Sequence, residues 1–425
     1  MSAAASAATD GARVVLVERA AEIGGSAALS AGWLWSAPSH EVFRTENPLG
    51  DPSLGEVLVN EFPRALEWVD SLDIERLRPL VVYGFGRGFQ IDIVKYLRRC
   101  ASIVNSSGGH VLLSIDVRSL VRTKNGRVVG ARVQDKDGTA TITARHTVLA
   151  TGGFQASATL RARYLHRHAR QMLLRSNPHS SGHGLRLGMK VGAAQTHSMD
   201  GFYGHLVCSP VSHFTPSDYT LLSQYYSNYA MLINWNGDRF TDESAGDQFN
   251  VQAVLRQPRS RAVAILDEQI RRQRVVGPDV ETGAIQDKFE EATKAGARLA
   301  SAASTTELAR ELRSWGIDGD TFLRTLARFN TGVFLPDEPP RLRWGKPISE
   351  PPFYALEVQP AITFTHGGLK IDADTHVLDL LDHPIPGLLA AGADAGGLYN
   401  KAYAGGLGMG IVFGRRAWAT AKSAS

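Results

Sequence analysis

Residues 387–410 read GLLAAGADAGGLYNKAYAGGLGMG, and this stretch decides the fold more specifically than any other part of the chain. Its first six residues describe a short apolar strand that ends in glycine. GGLGMG at 405–410 then begins a small-residue helix. A helix start so rich in glycine brings several backbone N–H groups and the positive end of the helix dipole close to a ligand. Close helix–strand packing produces the same pattern, so the block by itself leaves both interpretations open.

The N-terminal residues fit the second half of a nucleotide-binding βαβ unit. Residues 2–9, SAAASAAT, suit the end of a helix, and the Asp-Gly pair that follows breaks it. Residues 14–17 form an apolar run that ends in Glu18, as a buried parallel strand does. In this interpretation, the first strand and its G-x-G-x-x-G loop belong just upstream, and a start assigned too late explains their absence. Any helix–strand pair would look similar, so further signals are needed.

Two more glycine-rich loops support a nucleotide-binding domain. Residues 24–36 read GGSAALSAGWLWS, and residues 147–153 run from a strand into an Ala-Thr-Gly-Gly turn. Loops of this kind let backbone N–H groups approach a ligand closely. We therefore expect residues 14–18, 147–150 and 387–391 to be parallel strands of one sheet.

The composition argues against several classes of protein. The chain has 425 residues, which suggests two or three domains. Its two cysteines lie far apart and form no metal-binding spacing, which argues against structural zinc and a disulfide framework. The net charge of +4 comes without a broad basic patch, which argues against nucleic-acid binding. No apolar stretch approaches the ~20 residues of a membrane span, and no signal peptide is recognisable, so a cytoplasmic protein is expected.

The middle of the chain is more aromatic, and its predicted secondary structure differs from that of both ends. We expect helices at 260–274, 286–300, 305–314 and 319–330. The pattern of short strands followed by glycine-rich turns returns after residue 361. This change of pattern indicates a separate lobe between two segments of one nucleotide-binding domain.

Four blocks occur in order along the chain: VVLVERAAEIGGSAALSAG at 14–32, VLATGGF at 148–154, THGGLKID at 365–372 and GLLAAGADAGG…AGGLGMG at 387–410. Together they resemble the fumarate reductase and succinate dehydrogenase flavoprotein family, in the branch that includes 3-ketosteroid dehydrogenases. The resemblance spans nearly the whole chain and implies FAD as cofactor. It implies an α/β fold in which a Rossmann-type FAD-binding domain carries an inserted α+β substrate (clamp) domain. The expected bounds are 1–196 and 365–425 for the FAD-binding domain, without its first strand and glycine loop, and 197–364 for the clamp domain.

The resemblance also assigns cofactor contacts residue by residue. Glu18 resembles the acid that holds the adenosine ribose hydroxyls, and Val117 resembles the residue whose backbone meets the adenine. Asp394 resembles the acid near the ribityl chain, although the family more often has its acid one place earlier, at Ala393 here. The other expected FAD contacts are Gly24, Gly25, Ser26 and Ser30 along the pyrophosphate and flavin, Ala150, Thr151 and Gly152 in the second turn, Gly392 near the ribityl chain, and Gly405, Gly406, Leu407, Gly408 and Met409 at the flavin-edge helix.

The substrate-binding pattern departs from that of fumarate reductases, which use arginines and histidines to bind two carboxylates. The place expected for their proton-donating arginine falls near Asp247, and Thr363 to His366 lack a double histidine. Tyr403 stands where those enzymes carry another arginine. A dicarboxylate buried without partners costs several kcal/mol. Tyr403 followed by small residues resembles the ketosteroid-dehydrogenase branch, in which a tyrosine near this position polarises the substrate carbonyl.

These departures favour an oxidoreductase that moves a hydride between flavin N5 and a carbon alpha or beta to the carbonyl of an apolar ketone or ketosteroid-like substrate. Tyr403, Tyr203 and His205 are the catalytic candidates, and each could instead be a packing residue. The electron donor or acceptor is not identifiable. Two alternatives remain: a degenerate, non-catalytic flavoprotein-like protein, and a reductase of the enoate or fumarate type.

The absent glycine loop leads to a prediction about affinity. The 425-residue chain is expected to bind FAD weakly or not at all, because that loop supplies pyrophosphate donors that nothing else in the chain replaces. Quenching of flavin fluorescence during a titration measures the affinity. Purification of this chain with one tightly bound FAD per molecule would contradict the expectation.

Overall fold

The structure is a computed structural model that describes residues 1–279, 283–343 and 345–424. It divides the chain into two compact units, and both differ from the expected bounds by a few residues at the main boundary. Residues 161–175 also belong to the second unit, because Leu173–Leu174 pairs in parallel with residues 361–362. Unit 1 comprises Met1–Leu160, Ser176–Tyr203 and Phe364–Ser425, and unit 2 comprises Arg161–Arg175 and Gly204–Thr363.

Most helices begin at side chains that accept hydrogen bonds from the first backbone N–H groups. Asp92 accepts from the N–H of Lys95, and Asp318 accepts from Asp320 and Thr321. Such caps satisfy donors that have no partner inside the helix. The helices are α1 (Ser2–Thr9), α2 (His40–Glu46), α3 (Pro52–Ser71), α4 (Ile93–Ser106), α5 (Ala158–Tyr164), α6 (His183–Lys190), α7 (Tyr219–Leu222), α8 (Asp247–Arg256), α9 (Glu268–Ile270), α10 (Lys288–Lys294), α11 (Thr305–Ser314), α12 (Gly319–Thr331) and α13 (Gly406–Ser423).

The strands are mostly short, and two of them, β11 and β17, run across the boundary between the units. The strands are β1 (Val15–Val17), β2 (Trp33–Ser36), β3 (Arg76–Val82), β4 (Gly86–Ile91), β5 (His110–Leu112), β6 (Asp116–Arg122), β7 (Val128–Gln134), β8 (Thr139–Thr143), β9 (Thr147–Leu149), β10 (Leu173–Leu174), β11 (Phe202–Cys208), β12 (Met231–Ile233), β13 (Ala262–Asp267), β14 (Val276–Pro278), β15 (Ile285–Asp287), β16 (Leu299–Ala302), β17 (Phe353–Thr365), β18 (His376–Leu378) and β19 (Pro384–Ala390).

Unit 1 contains the parallel strand pairs that the glycine-rich blocks predicted. β9 and β19 pair in parallel, with Thr147 opposite Leu388 and Leu149 opposite Ala390. β1 pairs in parallel with β5, and α4 is the last element of the long connection between these two strands. Among the described residues, β1 pairs with neither β9 nor β19, so the expectation of one sheet for all three strands was wrong. The α/β fold class itself is confirmed.

Unit 2 is built around β17, a strand of thirteen residues that is buried along most of its length. The strand order is β10-β17-β13-β12, and β11 and β16 also pair with β17. All six residues of β13 are buried. The sequence predicted a helix at 260–274, but the first part of this segment forms strand β13. A continuous apolar run fits a buried strand as well as a buried helix, and this ambiguity explains the error.

Helix α13 begins in close contact with strand β2. Gly405 has φ +105°, and a Cβ atom added there would lie 2.0 Å from the carbonyl oxygen of Trp35. An added Cβ at Gly408 would lie 2.7 Å from the same oxygen. Only glycine permits this approach, and it fixes where the N-terminus of α13 lies within unit 1.

This contact predicts a large difference between two glycines of the same segment. Gly405→Ala is expected to destabilise the protein by at least about 2 kcal/mol, because the new Cβ meets backbone and the φ is strained. Gly410→Ala is the matched control: nothing lies within 4 Å of its added Cβ, and alanine favours the helix by about 1 kcal/mol. Urea unfolding measures both, and equal effects would show that the contact is unimportant.

Candidate cofactor and substrate site

The glycine-rich loops of unit 1 have the conformation that a close backbone approach requires. Gly24 and Gly25 have φ of +124° and +53°, Gly152 has +87° and Gly392 has +62°. Residues with a side chain are strained in this left-handed region, so glycine occupies these positions and no side chain covers the backbone. Thr151, which precedes Gly152, is exposed, and Gly24 and Gly25 are half-buried. The loops therefore present reachable backbone groups and fit a large ligand such as FAD.

The two serines predicted to line the cofactor shape the first loop. The Ser26 Oγ lies 2.6 Å from the Ser176 Oγ and accepts a hydrogen bond from the N–H of Asn177. The Ser30 Oγ donates to the Ala27 carbonyl at 2.7 Å. Both hydroxyls hold the loop in its course, and a direct role in cofactor binding stays a prediction.

The predicted adenosine end includes residues that the sequence did not reveal. Glu18 Oε1 accepts from the N–H of Ala20 at 2.8 Å, and the Val117 carbonyl accepts from His183 Nε2. Arg19 donates to Asp116 at 2.9 Å and lies 3.1 Å from His183 Nδ1. Arg19 directly follows Glu18, which was the available signal, whereas only the fold brings His183 to Val117.

Asp394 is turned inward and joins two loops of unit 1. It is 1% exposed and accepts hydrogen bonds from the backbone N–H and the Oγ1 of Thr151. The Thr151 Oγ1 in turn accepts from the N–H of Gly184 at 2.8 Å. Burial of this carboxyl raises its pKa to about 7, against the opposing effect of the two hydrogen bonds. Asp394 thus fixes the Ala150-Thr151-Gly152 turn, and its predicted contact with the ribityl chain remains untested.

The start of α13 is joined by hydrogen bonds to the tyrosines that precede it. The N–H of Gly406 donates to the Tyr403 hydroxyl oxygen at 2.8 Å, and the Tyr399 hydroxyl donates to the Gly405 carbonyl at 2.9 Å. Gly406 and Leu407 are half-buried, whereas Gly408 and Met409 are buried. The accessible part of the predicted flavin edge is therefore the first helical turn beside Tyr403.

Two predicted catalytic residues, Tyr203 and Tyr403, meet in an aromatic group of unit 1. Their rings stack with centroids 4.1 Å apart. Trp35 and Phe364 approach the ring of Tyr403 edge-on, at 5.2 and 5.5 Å between centroids. The Tyr83 hydroxyl lies 3.1 Å from the Tyr203 hydroxyl. We call these five residues the tyrosine cluster.

Tyr83 is a member of this cluster that sequence reasoning missed. It has φ +52° and Gly84 has φ +80°, so the pair forms the tight turn between β3 and β4. Two successive positive φ values are typical of a hairpin turn of type I′, where tyrosine is unusual. The signal that could have found it is the Tyr-Gly pair between two strand-like segments. This backbone strain makes Tyr83 a candidate functional residue.

His205, the third catalytic candidate, lies in unit 2 beside a carboxylate. His205 Nδ1 lies 2.6 Å from Asp247 Oδ2, and both side chains are about 5% exposed. The Tyr225 ring meets the imidazole edge-on at 4.8 Å between centroids. Tyr203 precedes His205 by two residues on β11 but belongs to unit 1.

Neither a candidate metal site nor a candidate membrane-spanning helix occurs among the described residues. They contain no cluster of three or more histidine, cysteine, aspartate or glutamate side chains placed to bind a metal ion. Their helices also lack the combined length and apolarity that crossing a membrane requires.

Comparison with known proteins places this geometry in a family. A family profile described as "FAD binding domain" matches residues 1–408. The chain is 26% identical to a NADH:fumarate oxidoreductase of Klebsiella pneumoniae, over 97% of this chain and 45% of that protein. It is also 26% identical to a fumarate reductase (cytochrome) of Shewanella frigidimarina, over 98% of this chain and 74% of that protein. The chain thus spans about half of the first relative.

A solved structure shares the fold. The 3-ketosteroid-Δ4-(5α)-dehydrogenase of Rhodococcus jostii, in complex with 4-androstene-3,17-dione, superposes with a TM-score of 0.76 at 20% identity. The match covers 99% of this chain and 94% of that one. At this level of identity, the likeness concerns the fold alone.

The buried carboxyl of Asp394 predicts a pH dependence of stability. Because its folded pKa is raised to about 7 from the ordinary value of 3.8, its contribution is fully present below pH ~4 and is lost as the pH rises towards 7. Asp394→Asn keeps a neutral acceptor for Thr151 and should remove this dependence, about 1.4 kcal/mol per pH unit. Urea unfolding at several pH values measures it. Identical slopes in variant and wild type would contradict the assignment.

Proposed function

The chain belongs to the FAD-binding-domain family of flavoprotein oxidoreductases, and on that basis we propose that it adds or removes hydrogen across a C–C bond next to the carbonyl of an apolar ketone. The family confirms FAD as the cofactor and the resemblance predicted from the sequence. The observation that carries the substrate proposal is the tyrosine cluster, where stacked Tyr203 and Tyr403 lie beside the start of α13.

Bound FAD supplies the acceptor or donor of the hydride. Tyr403 acts on the substrate carbonyl. Its oxygen accepts from the N–H of Gly406, and a phenol that accepts one hydrogen bond donates another at the same time. The Gly406 N–H at the helix start also stabilises negative charge on that oxygen when its proton is shared with a carbonyl. The Tyr403 hydroxyl is therefore a polarised donor for a ketone oxygen.

Tyr203 gives or takes the proton on the carbon next to the one that exchanges a hydride. Its hydroxyl lies 3.1 Å from that of Tyr83, which is 36% exposed. Hydrogen-bonded hydroxyls transfer protons along the line of contact, so Tyr83 connects Tyr203 with solvent. In this role the hairpin strain at Tyr83 has a purpose, because the turn delivers its hydroxyl to Tyr203.

The charges around the cluster favour a neutral ketone over a dicarboxylate. The cluster consists of aromatic rings, which provide stacking surface for a flat, apolar molecule. His366, whose ring lies 5.6 Å from that of Phe364, is neutral because burial lowers its pKa to about 3. A neutral hydroxyl such as that of Tyr403 donates one hydrogen bond but cannot neutralise a carboxylate.

A second candidate is reduction of a carboxylate-bearing enoate. The observation in its favour is that both relatives named above are fumarate reductases by name. A buried histidine, His205, is also present in unit 2. A non-catalytic flavoprotein is the third alternative, and it predicts that FAD binds without any response to a substrate. One substrate panel distinguishes the three.

The test uses the chain under anaerobic conditions with enough FAD to saturate even a weak site, and quenching of flavin fluorescence verifies that the flavin is bound before any substrate is added. 4-Androstene-3,17-dione is expected to bleach the oxidised flavin, and cyclohex-2-enone is expected to reoxidise the reduced flavin faster than fumarate does. Tyr403→Phe should slow both reactions by roughly 10²–10⁴-fold, the usual size of a lost polarising or acid–base group. The flavin spectrum should be unchanged, since the substitution removes only a hydroxyl.

Tyr354→Phe is the matched control, because Tyr354 lies in unit 2 and its hydroxyl donates to Glu268. It should leave both rates unchanged. Near-full turnover of Tyr403→Phe would reduce Tyr403 to a packing residue. Fumarate as the best oxidant would favour the enoate reductase, and a flavin that responds to none of the three compounds would favour the non-catalytic alternative.

A further inference from the structure

The imidazole of His183 lies between a hydrogen-bond acceptor and a hydrogen-bond donor of unit 1. Its Nε2 contacts the backbone carbonyl of Val117, which can only accept, so Nε2 carries a proton. Its Nδ1 lies 3.1 Å from Nη2 of Arg19, and a guanidinium can only donate, so Nδ1 is the acceptor. Only the neutral imidazole with its proton on Nε2 satisfies both contacts at once.

His183 joins the two segments that the sequence predicted at the adenosine end of FAD. Val117 lies in β6 and is the residue expected at the adenine. Arg19 directly follows Glu18, the acid expected at the ribose, and donates to Asp116 of β6 at 2.9 Å. Because one side chain contacts both segments, its hydrogen bonds fix how the segment after β1 lies against β6.

The backbone at the start of α6 is itself held in place, so the imidazole has a defined position. The N–H of Gly184 donates to the Oγ1 of Thr151 at 2.8 Å. A Cβ atom added to Gly184 would lie 2.4 Å from Oδ1 of Asp394, so the helix and this buried carboxyl are in close contact. Helix α6 begins at His183 and is therefore anchored to the second predicted cofactor turn.

We propose that His183 is a positioning residue for the adenosine end of the cofactor, and that its neutral form is the one that binds FAD. A protonated imidazole carries hydrogen on both nitrogens, so Nδ1–H would point at the cationic guanidinium of Arg19. One of the two contacts must then break, which displaces either Val117 or the segment that contains Glu18. FAD affinity should therefore fall in acid. The inference concerns the cofactor and does not depend on the ketone substrate proposed above.

The groups that face His183 favour its neutral form near pH 7. Burial is the largest effect and lowers the pKa of the imidazole below its ordinary value of 6.5. The Val117 carbonyl on β6 acts in the opposite direction, whereas Arg19 lowers the pKa further. Asp116 of β6 raises it, but this carboxylate is already paired with Arg19, and Arg186 of α6 itself lowers the pKa.

The tautomer can be measured before any FAD is added, by NMR of protein labelled with ¹⁵N-histidine. His183→Gln assigns the signal. Wild-type His183 should carry its proton on Nε2 at pH 8, because the Val117 carbonyl requires a donor there. A proton on Nδ1 at this pH would overturn the proposal without any reference to cofactor binding or activity.

The second measurement is the dissociation constant of FAD between pH 5 and pH 8, from quenching of flavin fluorescence. It is made in Asp394→Asn, because Asp394 titrates near pH 7 and belongs to the predicted site. The Kd should be constant above pH 7 and should rise by up to about tenfold per pH unit below the pKa of His183. An equal Kd at pH 5 and pH 8, or no FAD binding at any pH, would overturn the inference.

His183→Gln, added to Asp394→Asn, separates positioning from titration. Its amide offers a donor to Val117 and an acceptor to Arg19 but gains no proton in this pH range. The Kd at pH 8 should stay within about threefold of the background and become independent of pH. His183→Ala removes both contacts and should raise the Kd at pH 8 by about 5- to 30-fold.

His376→Gln in the same background is the matched control. His376 also lies in unit 1, but its Nδ1 contacts Asp372 Oδ2 at 2.9 Å rather than a residue of the predicted adenosine end. This substitution should leave the pH dependence of the Kd unchanged. If His183→Gln keeps the pH dependence, or if His376→Gln abolishes it, the inference fails, and the test of the ketone substrate is unaffected.

Discussion

The contact between Gly405 and the carbonyl of Trp35 is the constraint on which the candidate site depends. It brings the start of α13 against β2 at a distance that no side chain permits. The N–H of Gly406 then meets the Tyr403 hydroxyl, and the ring of Trp35 supports the ring of Tyr403 edge-on. This one close backbone contact therefore sets the positions of the N-terminus of α13, of the Tyr403 hydroxyl and of the Trp35 ring. Tight packing, one of the two interpretations that the sequence left open, accounts for Gly405 and Gly408, and a contact of these glycines with a ligand stays a prediction.

Sequence patterns predicted the secondary structure correctly where a pattern fitted only one type of element. Helices expected at 305–314 and 319–330 are present as α11 and α12, because each combines a capping residue with a helical apolar period. The run at 262–267 had two solutions, and burial on both faces of the central sheet of unit 2 selected the strand. A sequence window contains no information about such neighbours.

The predicted residues of the candidate site are those with a local sequence pattern, and the missed ones depend on contacts that only the fold creates. Tyr403 was found because it lies two residues before the glycines at the start of α13, and Tyr203 because the segment GFYGH at 201–205 opens the expected clamp domain. Tyr83 was missed because 120 residues separate it from Tyr203, and only the β3–β4 hairpin unites them. Asp247 was noted only for an arginine that it replaces. Its contact with His205 depends on the approach of α8 to β11, which no spacing encodes.

Unit 1 is assembled from three separate stretches of chain, and this has a consequence for its synthesis. During translation, the edge of β9 that pairs with β19 stays unpaired until roughly 240 further residues have been synthesised. A ribosome adds about 5–20 residues per second, so the interval is on the order of 10–50 seconds. Throughout that time, residues 204–363 emerge whole and begin to fold while unit 1 still lacks its last strand and helix. An unpaired strand edge is a site of aggregation, so the nascent chain has a longer period of risk than a protein whose domains follow one another.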